Sequence, residues 1–200
     1  MILTELSITN DVENFNRWSG TYEDSWLQRM YFDRIHNRVL NLANLRFASV
    51  SILDVGCGTG RLLRKARERW PHARIIGVDP AEGMVNKARQ LMPESTFMVG
   101  PAESIPLQDA SVDLVFSTAS FHHWSDQLQG LREIRRVLRP GGQFLLADVV
   151  PPPFLLRFIH HGRMRNSSKV HEMFEQAGLK VRIQRRILLG HFLITVGIRH

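Results

Sequence analysis

Two acidic residues and three glycines have the types and the spacing of a nucleotide-binding site. Asp54 ends a short apolar run, and Gly56, Gly58 and Gly60 alternate directly after it. This pattern predicts a buried parallel strand that enters a tight glycine loop, where a ligand can approach the backbone closely. Asp79 ends a second apolar run about 20 residues further on, where an acid can accept hydrogen bonds from both ribose hydroxyls. The pattern therefore predicts an adenosine-type ligand.

The glycine spacing separates the nucleotide classes. A dinucleotide fingerprint, G-x-G-x-x-G, requires a third glycine at Arg61 or Leu63, depending on the starting glycine. A P-loop requires Gly-Lys-Ser/Thr, which does not follow this loop. The remaining pattern, acid-x-G-x-G-x-G, resembles the class I S-adenosylmethionine-dependent methyltransferases, in particular the small-molecule group typified by ubiquinone and menaquinone C-methyltransferases. The resemblance implies S-adenosylmethionine as the cofactor and S-adenosylhomocysteine as its product.

Roles for the loop residues follow from this resemblance. It implies that Asp54 helps to order the loop and the methionine amino group, although bonding to amides of the turn is an equally good role. Cys57 is expected to contact the cofactor through its backbone while its thiol packs in the core. Asp79 is expected to bind the ribose, because a carboxylate that ends an apolar strand is costly to bury without partners. The alternative for Asp79 is an N-cap of the helix that starts near residue 81.

The adenine end of the site is assigned by the same resemblance. Pro80 and Met84 are expected to line the adenine pocket, although Met84 alone would be interpreted as core. Ala102 and Glu103 follow the third strand and match the segment that contacts the adenine edge. Pro101 departs from the family pattern, which commonly has Asp there, and proline offers neither a side-chain acceptor nor an N–H. The Ala102 amide is therefore expected to serve, with water or Glu103 in place of the missing carboxylate.

The segment after the fourth strand carries the candidate catalytic residues. Ser117 is predicted to lie at the cofactor, because open α/β sheets bind ligands at this edge. His122 and His123 follow, and a pair of histidines here is frequent in the family group that the chain resembles. A histidine is suited to remove a proton from a phenol, enol or acid as the methyl group arrives. The alternative is that one histidine orders the loop or caps the helix that follows Ser125.

The elements that position these residues alternate along the chain. Residues 1–20 are polar and predicted to be loop-like, and 22–45 carry an approximately helical apolar stripe. Strands are predicted near 50–55, 74–79, 95–99, 112–118, 142–149, 180–188 and 191–198. Helices are predicted near 60–70, 81–91, 125–138 and 167–177, with Pro and Gly at several of their ends.

This order of elements predicts an α/β fold, a doubly wound parallel sheet with helices on both faces. The last two strands are separated only by Leu189 and Gly190, too few residues for a parallel crossover, so they should form an antiparallel hairpin. The resemblance implies the same architecture: a Rossmann-like sheet of seven strands, mostly parallel, with a C-terminal antiparallel hairpin.

The length and composition indicate one globular domain. The chain has 200 residues with 44% hydrophobic content. We divide it into an N-terminal helical flap (1–45), a cofactor-binding core (46–150) and an acceptor-side lid with the terminal hairpin (151–200). No signal-peptide pattern is seen, no apolar run approaches the length of a membrane span, and Cys57 is the only cysteine. A cytoplasmic location is therefore expected.

The net charge of +7 is concentrated in the last quarter of the chain. Residues 151–200 contain nine Lys/Arg and two Asp/Glu, whereas 1–150 contain 17 of each. An arginine-biased composition explains this excess as well as attraction to an anionic substrate, membrane or nucleic acid does. Apolar residues at 154–159 suit a lid or a membrane-surface contact, although a buried structural helix explains them somewhat better. Trp18 and Tyr22 fall where the family places a flap over the site, and packing in the core is an equally good role for them.

The predicted function is in-line transfer of a methyl group from S-adenosylmethionine to a small molecule that is apolar or anionic. No metal is needed, because the sulfonium already makes the methyl group electrophilic. Two alternatives remain open at this point. One is an RNA-modifying methyltransferase, which only the basic C-terminal quarter favours, and nucleic acid is not the expected partner. The other is a cofactor-binding domain without transfer activity.

Overall fold

The computed structural model describes residues 12–19, 26–43, 50–150 and 164–200, and within these a seven-stranded sheet forms the centre of the fold. The spatial order is β3-β2-β1-β4-β5-β7-β6, with parallel pairing from β3 to β5 and antiparallel pairing of β7 with both β5 and β6. The strands are β1 (Ser51–Val55), β2 (Arg74–Asp79), β3 (Thr96–Val99), β4 (Val112–Thr118), β5 (Leu138–Val149), β6 (Leu179–Ile187) and β7 (Phe192–Arg199).

Helices cover both faces of this sheet. The two faces bury separate apolar clusters, one beneath α5 and α6 and the other beneath α2, α3 and α4. The helices are α1 (12–18), α2 (Trp26–Leu42), α3 (Arg61–Arg69), α4 (Glu82–Leu91), α5 (Gln127–Val137) and α6 (Ser167–Gln176), with a 3₁₀ turn at Phe121–His123. The predicted α/β class, the seven strands and the terminal hairpin are confirmed.

The order of the strands fixes where a ligand can bind. The chain leaves β1 toward β2 on one side, while β4 pairs with β1 on the other side. The loops that follow β1 and β4 therefore diverge and leave a crevice at the carboxyl edge of the sheet. The predicted glycine loop and the two histidines both lie in those loops.

The prediction of a loop over residues 1–20 is wrong for residues 12–18, which form α1. Its apolar side chains, Val12, Phe15 and Trp18, recur every three residues and so share one helical face. The polar residues between them hide this short stripe when composition alone is considered. Two other predicted features, Tyr22 and the apolar stretch 154–159, lie outside the described residues. No helix in the described ranges is long and apolar enough to span a bilayer.

Candidate active site

One cavity of about 590 Å³ opens at the carboxyl edge of the sheet. Its walls come from the loops after β1, β2, β3, β4 and β5, with α1 and α2 on the open side. Eleven of the thirteen predicted site residues line it: Asp54, Gly56, Cys57, Gly58, Asp79, Pro80, Met84, Ala102, Glu103, His122 and His123. Gly60 and Ser117 are not among the lining residues.

The glycine loop has a backbone that other residues adopt poorly. Gly56 and Gly58 have φ values of 73° and 52°, in the left-handed region. A Cβ at Gly56 would lie 1.9 Å from the Ser120 hydroxyl, whereas a Cβ at Gly58 would meet no atom within 4 Å. Gly56 therefore permits close packing of two loops, and Gly58 leaves an open approach from the cavity to the backbone.

Asp79 joins the loop to the second strand. One carboxylate oxygen accepts from the Gly58 N–H at 2.8 Å, and the other accepts from the Ala81 N–H at 2.9 Å. The second bond is made to the backbone of Ala81, which is itself the N-cap of α4 and has no side-chain cap, so the alternative that Asp79 caps this helix is wrong. Burial raises the pKa of Asp79, while these two amides oppose the rise. The side chain thus orders the site and also lines the cavity, where ribose hydroxyls can reach it.

The Asp54 carboxylate is buried, and one of its oxygens can accept a further hydrogen bond. Its Oδ1 atom is buried and has no hydrogen-bond partner within the part of the chain that the structure describes. Burial raises the pKa of Asp54 well above its usual range, and the charge of Asp79 raises it further. A cationic group in the cavity would offset both effects. The cavity end near Asp54 therefore fits the ammonium group of a methionine moiety.

The thiol of Cys57 faces the interior. Burial raises the pKa of this thiol, and its Sγ atom lies 3.6 Å from the Gly58 carbonyl oxygen. The side chain belongs to the core cluster on the α2 face. These surroundings suit a packing residue better than a nucleophile.

Met84, Pro80 and Glu103 lie at the end of the cavity where the sequence predicts the adenine. Met84 is almost fully buried, and Pro80 lies beside it in the wall of the cavity. The Glu103 Oε1 atom accepts from the Ser125 hydroxyl and from the Asp126 N–H, at 2.7 and 2.9 Å. Glu103 therefore fixes the start of α5, a role that the sequence did not suggest.

The two predicted residues outside the cavity have other surroundings. Gly60 has a φ of 77° and precedes α3, and a Cβ there would approach the Phe97 ring at 3.2 Å. Ser117 lies within β4, fully buried, and its hydroxyl has no partner among the described residues. Gly60 sets the backbone of the loop at the start of α3 without lining the cavity. The structure gives no role to the Ser117 hydroxyl.

His122 is hydrogen-bonded to Asp148, an aspartate that is not among the predicted site residues. Its Nδ1 lies 2.7 Å from the Asp148 Oδ1 atom, and its backbone N–H donates to Oδ2 at 2.8 Å. A carboxylate oxygen accepts, so Nδ1 is the donor and Nε2 is the nitrogen that can take a proton. This is the arrangement of a base oriented by a third group. Asp126, and no histidine, caps α5.

Aromatic rings continue from His122 to the helix that covers the cavity. The rings of His122 and His123 are 4.0 Å apart, and Phe15 meets His123 edge-on at 5.3 Å. Helix α1 is anchored at its other side, where the Asn16 side chain accepts from the Gly83 N–H at 2.8 Å. The helix therefore spans the cavity from the start of α4 to the histidine pair.

His36 on α2 is a further histidine in the cavity wall. It is 5% exposed, its Nε2 lies 3.4 Å from the Thr118 hydroxyl, and its buried Nδ1 has no hydrogen-bond partner among the described residues. Burial, reinforced by the nearby Arg61 cation, lowers the pKa of His36 to about 4. The imidazole is therefore neutral at physiological pH.

The lowered pKa predicts a stability difference with a defined sign. Because His36 binds a proton less tightly in the folded chain, its contribution is complete above the ordinary pKa of 6.5 and is lost as pH falls toward 4. Between pH 7 and pH 5 we expect wild type to lose about 2 kcal/mol more unfolding free energy than His36→Phe. Urea unfolding at the two pH values measures this difference. The exposed His171, changed to Asn, is the control, and equal losses for wild type and His36→Phe would contradict the prediction.

Two features of the sequence could have identified Asp148 and His36, which are not among the predicted site residues. Asp148 ends the apolar run of β5, as Asp54 and Asp79 end theirs, so the same rule applied to the fifth strand would have found it. His36 follows the buried Ile35 on α2, within the apolar stripe of the helix. Neither residue has a neighbour in the sequence that indicates its partner.

Comparison with known proteins agrees with this geometry. The family model described as a methyltransferase domain matches residues 53–146. The demethylmenaquinone methyltransferase of Thermotoga maritima is 34% identical over 101 residues, 50% of this chain and 44% of that protein. The malonyl-[acyl-carrier protein] O-methyltransferase of Serratia marcescens is 36% identical over 136 residues, 68% of this chain and 51% of that protein. The chain spans about half the length of these relatives.

A solved structure extends the likeness over nearly the whole chain. The methyltransferase in a complex with the Haloferax volcanii Trm112 methyltransferase activator superposes with a TM-score of 0.79 at 25% identity, covering 93% of this chain and 98% of that one. The strand order, the glycine loop with its two acids and these comparisons lead to one assignment. The predicted resemblance to the class I S-adenosylmethionine-dependent methyltransferases is confirmed, with a methyltransferase domain over residues 53–146.

Proposed function

We propose that this protein transfers a methyl group from S-adenosylmethionine to a small molecule that is apolar and carries an acidic proton. The observation that carries the proposal is the His122–Asp148 pair, which lies in the wall of the same cavity as Asp54, Asp79 and the glycine loop. A cofactor-binding domain without transfer activity has no need for an oriented base beside the cofactor cradle.

The chain's own residues would bind and orient the cofactor. Asp79 is positioned for the ribose hydroxyls, Asp54 for the ammonium group, and the Ala102 amide with Met84 for the adenine. When bound, S-adenosylmethionine supplies an electrophilic methyl group on its sulfonium. Alignment and exclusion of water account for most of the acceleration in such a transfer. Helix α1 and the rings of Phe15 and His123 would exclude water from above.

His122 would act on the acceptor. Its Nε2 takes the acceptor's proton, and Asp148 holds the ring through Nδ1 and stabilises the positive charge that develops. Removal of this proton would leave the electron pair on the acceptor's oxygen or carbon, which would take the methyl group as the methyl–sulfur bond breaks and S-adenosylhomocysteine leaves. His123 packs on the His122 ring and limits its rotation, and it is the second candidate for the base.

The lining of the cavity supports an apolar acceptor that becomes anionic only when it is deprotonated. Phe32, Ala119, Val149 and Phe192 line the side opposite the adenine pocket. Among the described lining residues the arginine is Arg61, and it is paired with Asp33 at 3.1 Å. The described basic residues of the last quarter lie mostly on β6, outside this lining. A small-molecule acceptor therefore remains preferred over RNA.

The same proposal includes the organisation of the chain. Residues 1–45 would form the flap, 46–150 the cofactor-binding core, and 151–200 the acceptor-side lid and hairpin of one methyltransferase domain. A cytoplasmic location suits the single cysteine, Cys57, which is buried and unpaired.

Calorimetry with three ligands tests the cofactor. We expect S-adenosylmethionine and S-adenosylhomocysteine to bind and NAD not to bind, because Arg61 and Leu63 stand where a dinucleotide site needs its third glycine. A methyl-donor turnover assay with cell extract, with and without RNase, then separates a small-molecule acceptor from RNA. Tight NAD binding without a response to S-adenosylhomocysteine would overturn the assignment.

A further inference from the structure

The turn between β6 and β7 places an apolar side chain wholly in solvent. Leu189 is 100% exposed, whereas Leu188 packs against the core on the α2 face. The Gly190 N–H donates to the Ile187 carbonyl at 3.1 Å, so residues 187–190 form a tight turn around the two leucines. The tip of this hairpin is therefore a leucine that packs on none of the described residues.

The backbone of the tip is unfavourable for the residues that it carries. Leu188 and Leu189 have φ values of 51° and 55°. A hairpin turn with positive φ at both central residues ordinarily has Asn-Gly there, because a Cβ clashes in this region. No internal packing offsets this strain at Leu189. Strain of this kind that persists at an exposed position points to a contact outside the chain.

The strand that leads to the tip is basic. Lys180, Arg182, Arg185 and Arg186 are exposed on β6, and no acidic residue occurs from 177 to 200. Within the described residues, none of these four side chains forms an ion pair with a carboxylate within 4.0 Å. Charges also protect an edge strand from pairing with other chains. That role explains the arginines and leaves the leucine unexplained.

The hairpin tip borders the acceptor end of the cavity. His191 and Phe192, directly after the turn, both line the cavity. Across the opening, Trp18 on α1 lines the cavity and is 54% exposed. The hairpin tip therefore adjoins the wall of the cavity to which the exposed tryptophan also belongs, and the basic strand leads to that tip.

We propose that the β6–β7 hairpin is a membrane-surface contact, with Leu189 inserted among the acyl chains of an anionic phospholipid bilayer and Arg182 and Arg185 at its headgroups. Exposed apolar side chains next to cations are what interfacial binding requires. Nucleic acid would engage the cations but offers nothing to Leu189. Entry of an apolar acceptor from the bilayer rests on the proposed function, whereas the binding surface itself does not.

Vesicle sedimentation tests the surface. Full-length protein is mixed with phosphatidylcholine vesicles, with and without phosphatidylglycerol, and we expect binding only to the anionic ones. Leu189→Asn removes the apolar group and suits positive φ, so binding should fall about tenfold while the melting temperature stays equal or rises. Arg182→Gln with Arg185→Gln should cost about fivefold for each charge.

Matched controls lie elsewhere on the fold. Leu91→Asn changes a 41% exposed leucine at the end of α4, and Arg132→Gln changes an exposed arginine on α5. Both should bind vesicles like wild type. Wild type that ignores anionic vesicles, or Leu189→Asn that binds as wild type does, would overturn the proposal. Single-stranded RNA binding that needs the arginines but not Leu189 would also overturn it. S-adenosylmethionine binding is measured separately, so a failure here leaves the proposed function standing.

Discussion

Replacing His122 with alanine is expected to lower turnover by about 10²- to 10⁴-fold, the range for loss of a positioned general base. Cofactor affinity should change little, because the residues proposed to hold the cofactor are Asp54, Asp79, Met84 and the Ala102 amide, and His122 is not among them. The pH–rate profile should lose the limb that protonation of a histidine base produces. Steady-state kinetics on the acceptor found in the extract assay, with calorimetry of S-adenosylmethionine, measures both effects.

The Asp148→Asn variant tests the orientation of the His122 ring separately from proton transfer to its Nε2 atom. The substitution keeps the size of the side chain but places an amide beside Nδ1, so the tautomer with Nε2 as acceptor is no longer favoured. We expect a smaller loss of kcat than for His122→Ala, with a displaced pH limb and an unchanged KM. The exposed His72, changed to Ala, is the control. Full turnover in His122→Ala, or an intact limb, would return His122 to an ordering role in the loop after β4.

Replacing Asp79 with alanine is expected to weaken S-adenosylmethionine binding by about 1–3 kcal/mol, or about 5- to 150-fold, because hydrogen bonds to a charged group are lost. The Gly58 and Ala81 amides lose their acceptor as well, so the glycine loop loses order. The fold should survive, because the residue lies at the edge of the sheet and serves the cavity. Calorimetry gives the affinity, and circular dichroism gives the fold.

Two further variants define what Asp79 does. Asp79→Asn keeps one oxygen but turns an amide N–H₂ toward one of the two backbone donors, so it should lie between wild type and alanine in affinity. Glu82→Gln removes a nearby exposed acid and should leave affinity unchanged. Equal affinity for wild type and Asp79→Ala would show that the ribose contact lies elsewhere.

The half of the candidate site that contains the glycine loop could be predicted from the sequence, because it depends on patterns within a few consecutive residues. A carboxylate at the end of an apolar run, and glycines that must take positive φ, are properties of a few consecutive residues. Asp54, Gly56 and Gly58 belong to one such run, and Asp79 to the next. The short connection between β6 and β7 likewise requires an antiparallel hairpin, whatever the order of the other strands in the sheet.

The acceptor half depends on neighbours that only the folded sheet creates. His122 and Asp148 are 26 residues apart, and the parallel pairing of β4 with β5 brings their strand ends together. The packing of α2 on the sheet buries His36 and lowers its pKa, although a histidine on a helix is ordinarily exposed to solvent. Helix α1 was hidden because its apolar face is only two turns long and lines the cavity without joining either core cluster.

The sequence by itself therefore determined the fold class, the succession of strands and helices from α2 onward, the glycine loop and the candidate base. The tertiary structure alone decided which side chains meet: the aspartate that orients His122, the neutral His36 in the wall, and the exposed Leu189 beside the entrance. The physical reason is the distance along the chain over which each property is determined. Backbone conformation and strand burial are set by neighbours within one element, whereas hydrogen-bond partners, pKa shifts and exposure are set by elements that are distant in the chain.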